Sequence, residues 1–149
     1  FAPARWAASY WRDKAKAGEP VNASIVNTSS VSGLYGNPGQ TNYGAAKMGI
    51  AAFTLIAARE LQRYGVRVNA IAPGAILTPM VAEAFKQVNP EDPKAAEAQY
   101  ASNNPTRALG DPKDVASVVG FLLSKANGYV SGQTIAIDGG ESNMYGNAE

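Results

Sequence analysis

The sequence predicts a three-layer α/β fold built around a parallel β-sheet. Two short segments rich in β-branched and apolar residues, 23–28 and 66–72, read as strands, and each follows a segment with helical periodicity. A helix followed by a strand, repeated, is typical of a parallel sheet whose strands are joined by right-handed crossovers. With 149 residues, the chain has the length of one domain with its own core.

The composition excludes several classes of protein. The net charge is +1, and no basic run suggests a nucleic-acid partner. No apolar stretch is long enough to cross a membrane, so we expect no membrane partner. The chain has no cysteine, which agrees with the cytoplasmic location that we expect, and no histidine, the usual acid–base residue near neutral pH. We expect no metal site.

The first predicted element is an amphipathic helix over residues 1–16. Its aromatic residues, including Phe1, Trp6 and Trp11, lie towards one side, and its basic residues lie towards the other side and the C-terminal end. Gly18 is expected to end this helix.

The strand 23–28 leads through a loop into a long helix over about 42–63. The loop contains four residues that break regular structure, which are Gly33, Gly36, Pro38 and Gly39. Either Thr41 or Asn42 is expected to cap the helix.

Ser30, Tyr43 and Lys47 are the candidate catalytic residues of this stretch. Tyr43 and Lys47 are four positions apart, so they share one face of the helix. A free tyrosine keeps its proton up to about pH 10. A neighbouring ammonium group, which Lys47 can supply, stabilises the phenolate. Tyr43 can then exchange a proton with a substrate hydroxyl or carbonyl, while Ser30 holds the same oxygen atom by a hydrogen bond.

The long helix is apolar on two faces and therefore needs two packing partners. One stripe consists of Ala46, Ile50, Phe53, Ala57 and Leu61, and the other of Met48, Ala51, Ala52, Leu55 and Ala58. One partner is the sheet. The other is either the helix 1–16 of the same chain or a second subunit.

The strand 66–72 ends at Pro73 and Gly74, where a ligand site is expected. Ligands of parallel sheets bind beyond the carboxyl ends of the strands, where Ser30 and the start of the Tyr43 helix also fall. Gly74 would let the backbone approach a flat ligand closely. Without Ser30, Tyr43 and Lys47, a plain turn after the strand would be the preferred explanation of Pro73 and Gly74.

The remaining elements are three helices and one strand. Two short helices are predicted over about 80–87 and 93–102, separated by a proline-rich break. Their side chains Met80, Phe85 and Tyr100 either contact a substrate or attach this segment to the core. Asp111 is expected to cap a helix that has Pro112 at its first position. A strand over 134–138 and a small, polar tail over 141–149 follow.

Four blocks of sequence together resemble the short-chain dehydrogenase/reductase family. Ser30, Tyr43 and Lys47 match the family's Ser…Tyr-x-x-x-Lys active site, and residues 68–74 match the strand and Pro-Gly turn that lie beside the nicotinamide. Residues 109–116 resemble the entry to the last helix, and residues 137–140 resemble the end of the last strand.

This resemblance implies a Rossmann-type sheet that is incomplete at its N-terminal side. Residues 1–149 would form the C-terminal part of a single domain, with a mobile substrate lid at about 79–104. The family's first strands, its glycine-rich phosphate-binding turn and an active-site asparagine would precede this part. No G-x-G-x-x-G turn occurs in the chain, so we expect the chain alone to be inactive.

The resemblance also implies an NAD- or NADP-dependent oxidoreductase that interconverts a secondary alcohol and a ketone. It assigns cofactor binding to Tyr43, Lys47, Pro73, Gly74, Ile76 and Thr78. Lys47 would bind the nicotinamide ribose, Ile76 would act through its backbone and Thr78 through its hydroxyl. The family forms homodimers or homotetramers, in which the long helix lies between subunits.

The resemblance favours a 3-oxoacyl or 3-hydroxyacyl substrate, without choosing between NAD and NADP. Enoyl reductases of the superfamily have a longer gap between tyrosine and lysine, and the extended epimerases carry a larger C-terminal substrate domain. The alternative from another functional class is a non-catalytic fragment or interaction module that keeps the fold without binding a cofactor.

Overall fold

The computed structural model describes residues 1–102 and 104–143. In chain order its elements are α1 (Ala2–Lys16), β1 (Ala23–Thr28), α2 (Val31–Leu34), α3 (Thr41–Leu61), a 3₁₀ turn (Gln62–Tyr64), β2 (Val66–Pro73), α4 (Pro79–Val88), α5 (Pro93–Ser102), α6 (Pro112–Leu123), β3 (Thr134–Ile137) and a second 3₁₀ turn (Glu141–Asn143). The predicted tail over 141–149 lies outside the described residues from position 144 onward.

The three strands form one parallel sheet in the order β1-β2-β3. Ala23 of β1 is opposite Val66 of β2, and Ala70 of β2 is opposite Thr134 of β3. The central strand β2 is buried along most of its length. This arrangement confirms the predicted α/β fold with a parallel sheet.

Helices cover both faces of the sheet. On one face, Ala57 and Ala58 of α3 pack against Val66 and Val68 of β2. On the other face, the carbonyl oxygen of Leu122 in α6 accepts hydrogen bonds from Ser24 Oγ at 3.0 Å and Arg67 Nη1 at 3.1 Å. Because side chains alternate between the faces of a strand, these contacts place α3 and α6 on opposite sides, as a three-layer fold requires.

The first helix is present as predicted, but it buries none of its residues completely. Gly18 follows it with a φ of +80°, as expected for a helix-ending glycine. Phe1 packs edge-on against Phe53 of α3, with 5.7 Å between the ring centroids. Phe1 and Trp6 nevertheless remain 84% and 72% exposed. No helix among the residues described is both long enough and apolar enough to cross a bilayer.

The predicted cap of the long helix is wrong. Gln40 is the N-cap residue and offers no side-chain hydrogen bond, and both Thr41 and Asn42 lie inside the first turn. Asn42 Oδ1 instead accepts a 2.8 Å hydrogen bond from the N–H of Tyr43. The predicted cap at Asp111 is confirmed, since its carboxylate accepts from Lys113 N–H at 2.8 Å and forms a capping box with Asp114.

Candidate active site

Tyr43 and Lys47 lie one helical turn apart at the start of α3, as predicted. The Lys47 ammonium nitrogen lies 5.5 Å from the centroid of the Tyr43 ring. It also donates a 3.2 Å hydrogen bond to the carbonyl oxygen of Thr28, the last residue of β1. Tyr43 is 42% exposed, so its ring is open to solvent on one side. The lysine charge is therefore held between the strand end and the phenol.

Ser30 lies just beyond β1 and is buried. It is the N-cap of α2, and its hydroxyl oxygen accepts a 3.2 Å hydrogen bond from the N–H of Ser32. Its hydroxyl proton is still available for a further acceptor. In the residues that the structure describes, no hydrogen bond joins Ser30 to Tyr43 directly. The sheet edge brings the two residues to the same end of the fold, as expected for ligand sites of parallel sheets.

Ser29, which the sequence analysis did not single out, attaches the strand end to the lysine. Its hydroxyl donates a 2.7 Å hydrogen bond to the Lys47 carbonyl oxygen, and its N–H donates a 2.8 Å bond to the Ile71 carbonyl oxygen. Only 2% of Ser29 is exposed. The pair of adjacent serines at the end of β1 was the sequence signal for this contact, because consecutive side chains of a strand point to opposite faces. One serine can therefore face a ligand while the other faces the core.

Gly33 lets α2 lie directly against α3. A Cβ atom at this position would be 2.7 Å from Lys47 Cβ and 2.9 Å from the Lys47 carbonyl carbon, which is too close for any other residue. Gly33 was predicted to keep the loop free of regular structure, but it belongs to the short helix α2. Gly44 makes a second close approach, since a Cβ there would be 3.3 Å from the Ser32 carbonyl oxygen.

Pro73 and Gly74 lie at the carboxyl end of β2, beside the end of β3. The N–H of Gly74 donates a 3.0 Å hydrogen bond to the Ile137 carbonyl oxygen. A Cβ on Gly74 would be 2.7 Å from Asp138 Cβ. Within the chain itself, the lack of a side chain at position 74 therefore allows two neighbouring strand ends to approach each other.

Ile76 and Thr78 lie between β2 and α4. Ile76 forms an isolated parallel bridge with Gly110. The N–H of Leu77 donates a 2.8 Å hydrogen bond to the Gly110 carbonyl oxygen, and the N–H of Gly110 donates a 3.0 Å hydrogen bond to the Ala75 carbonyl oxygen. In a parallel bridge of this kind, the N–H and C=O of Ile76 itself point away from Gly110. Thr78 is the N-cap of α4, and its hydroxyl oxygen accepts from Val81 N–H at 3.4 Å.

A polar network follows β3. Asn104 Nδ2 donates a 2.8 Å hydrogen bond to the Asp138 carbonyl oxygen. The Asp138 carboxylate accepts hydrogen bonds from the N–H groups of Gly140 at 3.0 Å and Ser142 at 2.9 Å. Burial favours a higher pKa for Asp138, but the hydrogen bonds from Ser142 and Gly140 outweigh it, so the pKa lies below its ordinary value.

Two further groups near this network, Glu141 and Tyr100, have pKa values shifted in the other direction. The pKa of Glu141 is raised by its burial and by repulsion from the Asp138 carboxylate. The pKa of Tyr100 on α5 is raised by burial and by the charge of Glu141. Among the described residues no group of three or more acidic, histidine or cysteine side chains is placed to hold a metal ion.

The fold thus gathers the predicted site residues in two groups. Ser30, Tyr43 and Lys47 lie around the end of β1 and the start of α3. Pro73, Gly74, Ile76 and Thr78 lie along the exit from β2. β1 and β2 are paired neighbours in the sheet, and Ser29 is bonded to both β2 and α3, so the two groups share one edge of the fold.

Comparison with known proteins identifies relatives over most of the chain. A family model described as enoyl-(acyl carrier protein) reductase matches residues 7–142. Levodione reductase of Leifsonia aquatica is 45% identical over 127 residues, which are 85% of this chain and 48% of that protein. A 3-oxoacyl-(acyl-carrier-protein) reductase of Thermotoga maritima is 48% identical over 119 residues, which are 80% of this chain and 45% of that protein.

Solved structures show the same similarity in three dimensions. The crystal structure of levodione reductase superimposes with a TM-score of 0.74 at 46% identity, covering 81% of this chain and 47% of that chain. The structure of ElxO with NADP bound gives a TM-score of 0.75 at 30% identity, covering 90% of this chain and 51% of that one. The chain therefore spans about half the length of the relatives that it matches.

Proposed function

The chain belongs to the short-chain dehydrogenase/reductase family, and we propose that it forms the C-terminal half of an NAD(P)-dependent enzyme that interconverts a secondary alcohol and a ketone. That complete protein is called the parent enzyme below. The observation that carries the proposal is the position of the Lys47 ammonium group, 5.5 Å from the Tyr43 ring and bonded to the end of β1. A positive charge in this position stabilises a phenolate, which a proton-transferring tyrosine needs.

Each of the three residues has one role in the reaction. In the reductive direction, the Tyr43 hydroxyl gives its proton to the ketone oxygen, and Lys47 stabilises the phenolate that remains. Ser30, whose hydroxyl proton is available, donates a hydrogen bond to the same oxygen and positions it. The bound nicotinamide supplies or accepts the hydride. In the oxidative direction the tyrosinate takes the proton from the alcohol.

The residues after β2 suit the nicotinamide end of the cofactor. The peptide N–H and C=O of Ile76 point away from the Gly110 bridge, so they can bind an amide group. The Thr78 hydroxyl accepts a weak hydrogen bond from Val81 and can still donate its proton. Pro73, Gly74 and Lys47 complete this part of the site. The ElxO structure contains NADP, which supports a dinucleotide cofactor without choosing between NAD and NADP for this chain.

For the substrate we propose a 3-oxoacyl or 3-hydroxyacyl compound. The 48% identity to a 3-oxoacyl-(acyl-carrier-protein) reductase supports this class. Levodione reductase is almost as similar, at 45% identity, so levodione belongs in the same substrate panel. We propose a homodimer or homotetramer, because Leu55 and Ile56 of α3 are 46% and 56% exposed on an apolar face. We also propose that the protein is cytoplasmic.

The experiment compares wild-type and Tyr43→Phe parent enzyme, with NADH or NADPH and a 3-oxoacyl thioester or levodione. The variant keeps the ring but loses the proton donor, so turnover should fall by at least about 100-fold while the fold is kept. Tyr129→Phe is the matched control, because Tyr129 is fully exposed and should tolerate the same change. Near-normal turnover by Tyr43→Phe, with cofactor still bound, would refute the proposed role.

A second candidate is a non-catalytic module that keeps the fold without binding a cofactor. The observation in its favour is that the chain spans about half of its relatives and has no G-x-G-x-x-G turn. The mass of the protein isolated from its source separates the two candidates. A mass near 15.5 kDa supports the module, whereas a mass about twice as large supports the parent enzyme.

A further inference from the structure

The helices α4 and α5 form a pair whose closest packing is internal. Phe85 of α4 is 8% exposed, and its ring centroid lies 5.9 Å from that of Tyr100 on α5. Ala96 and Ala101 are also buried in this pair. Neither helix packs extensively against the sheet within the described residues. The position of the pair therefore depends on how its two ends are attached.

The segment before α4 is attached to Gly110, which lies between α5 and α6. Ala75 and Leu77 bind Gly110 by two peptide hydrogen bonds of 3.0 and 2.8 Å. A Cβ on Gly110 would be 2.5 Å from Ile76 Cδ1, so the two segments are in direct contact.

At the C-terminal end, the buried side chain of Asn104 binds the turn after β3. Its Nδ2 donates to the Asp138 carbonyl oxygen at 2.8 Å. Its Oδ1 accepts from the N–H of Thr106 at 3.0 Å and from the Thr106 hydroxyl at 2.8 Å. Asn104 is 8% exposed, so loss of these bonds would leave buried polar groups without partners.

The turn after β3 is shaped to receive this carboxamide. Gly139 has a φ of +63°, and a Cβ there would lie 2.5 Å from Asn104 Oδ1 and 2.7 Å from the Thr106 hydroxyl oxygen. On its other side, Asp138 contacts Gly74, where a Cβ would be 2.7 Å from Asp138 Cβ. A continuous set of contacts thus runs from Asn104 through Asp138 to the end of β2.

We infer that Asn104 is a positioning residue, which fixes the α4–α5 pair over the carboxyl ends of β2 and β3 and thereby sets the affinity for the substrate. This inference rests on the proposed function, in which the substrate binds at that edge. Asn104 is joined to α5 and to the turn after β3, whereas Lys47, one helical turn from Tyr43, is attached to the end of β1 through Thr28 and Ser29. Loss of the carboxamide should therefore affect substrate binding more than proton transfer.

The kinetic test uses Asn104→Ala and the isosteric Asn104→Asp in the parent enzyme. We expect the KM for the ketone substrate to rise about tenfold in both variants, as for the loss of one buried hydrogen-bonding group, with kcat within about threefold of wild type. The pH profile of kcat should be unchanged. A KM equal to that of wild type, or a fall in kcat at constant KM, would overturn the inference.

A second test needs no activity. Trypsin can cut at the exposed Lys94 at the start of α5, and the exposed Lys125 after α6 provides an internal reference. Cleavage at Lys94 relative to Lys125 should be several-fold faster in Asn104→Ala than in wild type. Equal ratios would overturn the inference, even if the parent enzyme proves to have no alcohol or ketone activity. Faster cleavage in such an inactive protein would contradict only the proposed function.

Gly139→Ala provides an independent variant that acts from the other side of the contact, should Asn104 variants fold poorly. Its methyl group would displace the Asn104 carboxamide, so it should reproduce the faster cleavage at Lys94. Gly18→Ala is the matched control, because Gly18 also has a positive φ of +80° but has no atom within 4 Å of an added Cβ. Faster cleavage at Lys94 in Gly18→Ala as well would show that the effect is general destabilisation and would also overturn the inference.

Discussion

Ser29 Oγ donates a 2.7 Å hydrogen bond to the backbone carbonyl of Lys47, across the gap between β1 and α3. The bond joins the residue before Ser30 to the residue that carries the ammonium group. It fixes the rotation of α3 relative to the strand end, and so the direction from which Lys47 reaches Tyr43. Gly33 holds the same point of α3 from the α2 side.

Ser29→Ala should destabilise the fold by about 1 kcal/mol, because the hydrogen bond from the buried Ser29 hydroxyl to the Lys47 carbonyl oxygen is lost. Chemical denaturation of wild-type and variant parent enzyme measures this difference. Ser117→Ala is the control, since the Ser117 hydroxyl makes a similar 2.8 Å bond to the Lys113 carbonyl oxygen but on an exposed helix surface. Equal losses in the free energy of unfolding for the two substitutions would show that the Ser29 hydrogen bond stabilises the fold no more than an exposed one.

Lys47→Met should lower kcat for alcohol oxidation by about 100-fold, because Tyr43 would lose the ammonium group that lies 5.5 Å from its ring. Cofactor binding should also weaken, because the ribose loses a donor. The measurement is the rate of alcohol oxidation at one fixed pH, with Lys125→Met as the control at an exposed position. An unchanged kcat in Lys47→Met would mean that this lysine does not act on the tyrosine.

Leu55→Asp or Ala52→Arg should lower the mass of the oligomer or make the parent enzyme insoluble. Both positions lie on the exposed apolar face of α3, where Leu55 is 46% exposed. A charge there would be buried without a partner in a subunit interface. Light scattering of purified protein measures the mass. Met80→Asp, at an 82% exposed position on α4, is the control. An unchanged mass in the α3 variants would favour intrachain packing with α1 alone.

The chain 1–149 by itself should bind neither NADH nor NADPH appreciably. Tight binding of a dinucleotide requires backbone N–H groups at a helix N-terminus that hold the pyrophosphate, and no glycine-rich turn of that type occurs in the sequence. The nicotinamide end of the site offers only a few hydrogen bonds, which are too weak to offset the freedom that the cofactor loses. Calorimetric titration tests this expectation, and micromolar binding would show that the phosphate site lies in these residues.

Glu141→Gln should stabilise the parent enzyme near neutral pH and lose this advantage in acid. The pKa of Glu141 is raised in the folded state by burial and by Asp138, so the folded protein holds this proton more tightly than the unfolded chain. Stability from this group is complete below the unfolded pKa of about 4.3 and falls as the pH rises through the folded pKa. Thermal unfolding at pH 4 and pH 7 measures the change, and an equal difference at both values would contradict it.

The elements of the fold were largely predictable because their signals are local. The strand 23–28 and the helix pair 80–87 and 93–102 were placed within two residues, and Asp111 with Pro112 identified the start of α6. The cap of α3 was not predictable, because Thr41 and Asn42 are good capping residues, yet the helix begins at Thr41 and both lie inside its first turn. Spacing alone located Tyr43 and Lys47 on one helix face.

The contacts that position the site were not predictable from the sequence. Ser29, Gly33 and Asn104 contact residues that are 14 to 42 positions away in the chain, so no local pattern reveals these contacts. Gly74 illustrates the same limit. The sequence predicted that a glycine is needed there because a ligand approaches the backbone, whereas within the chain the missing side chain makes room for Asp138. The catalytic roles of Ser30, Tyr43 and Lys47 and the cofactor contacts remain predictions.

Within the described residues, β1 is paired only with β2, which leaves its other edge unpaired. The peptide groups of Ser24 and Val26 point to that open edge, because the N–H groups of Ala23 and Ser29, at the alternate positions, bind β2. An open edge of this kind accepts a strand from another polypeptide. A strand laid along β1 would therefore extend the sheet through backbone hydrogen bonds to Ser24 and Val26.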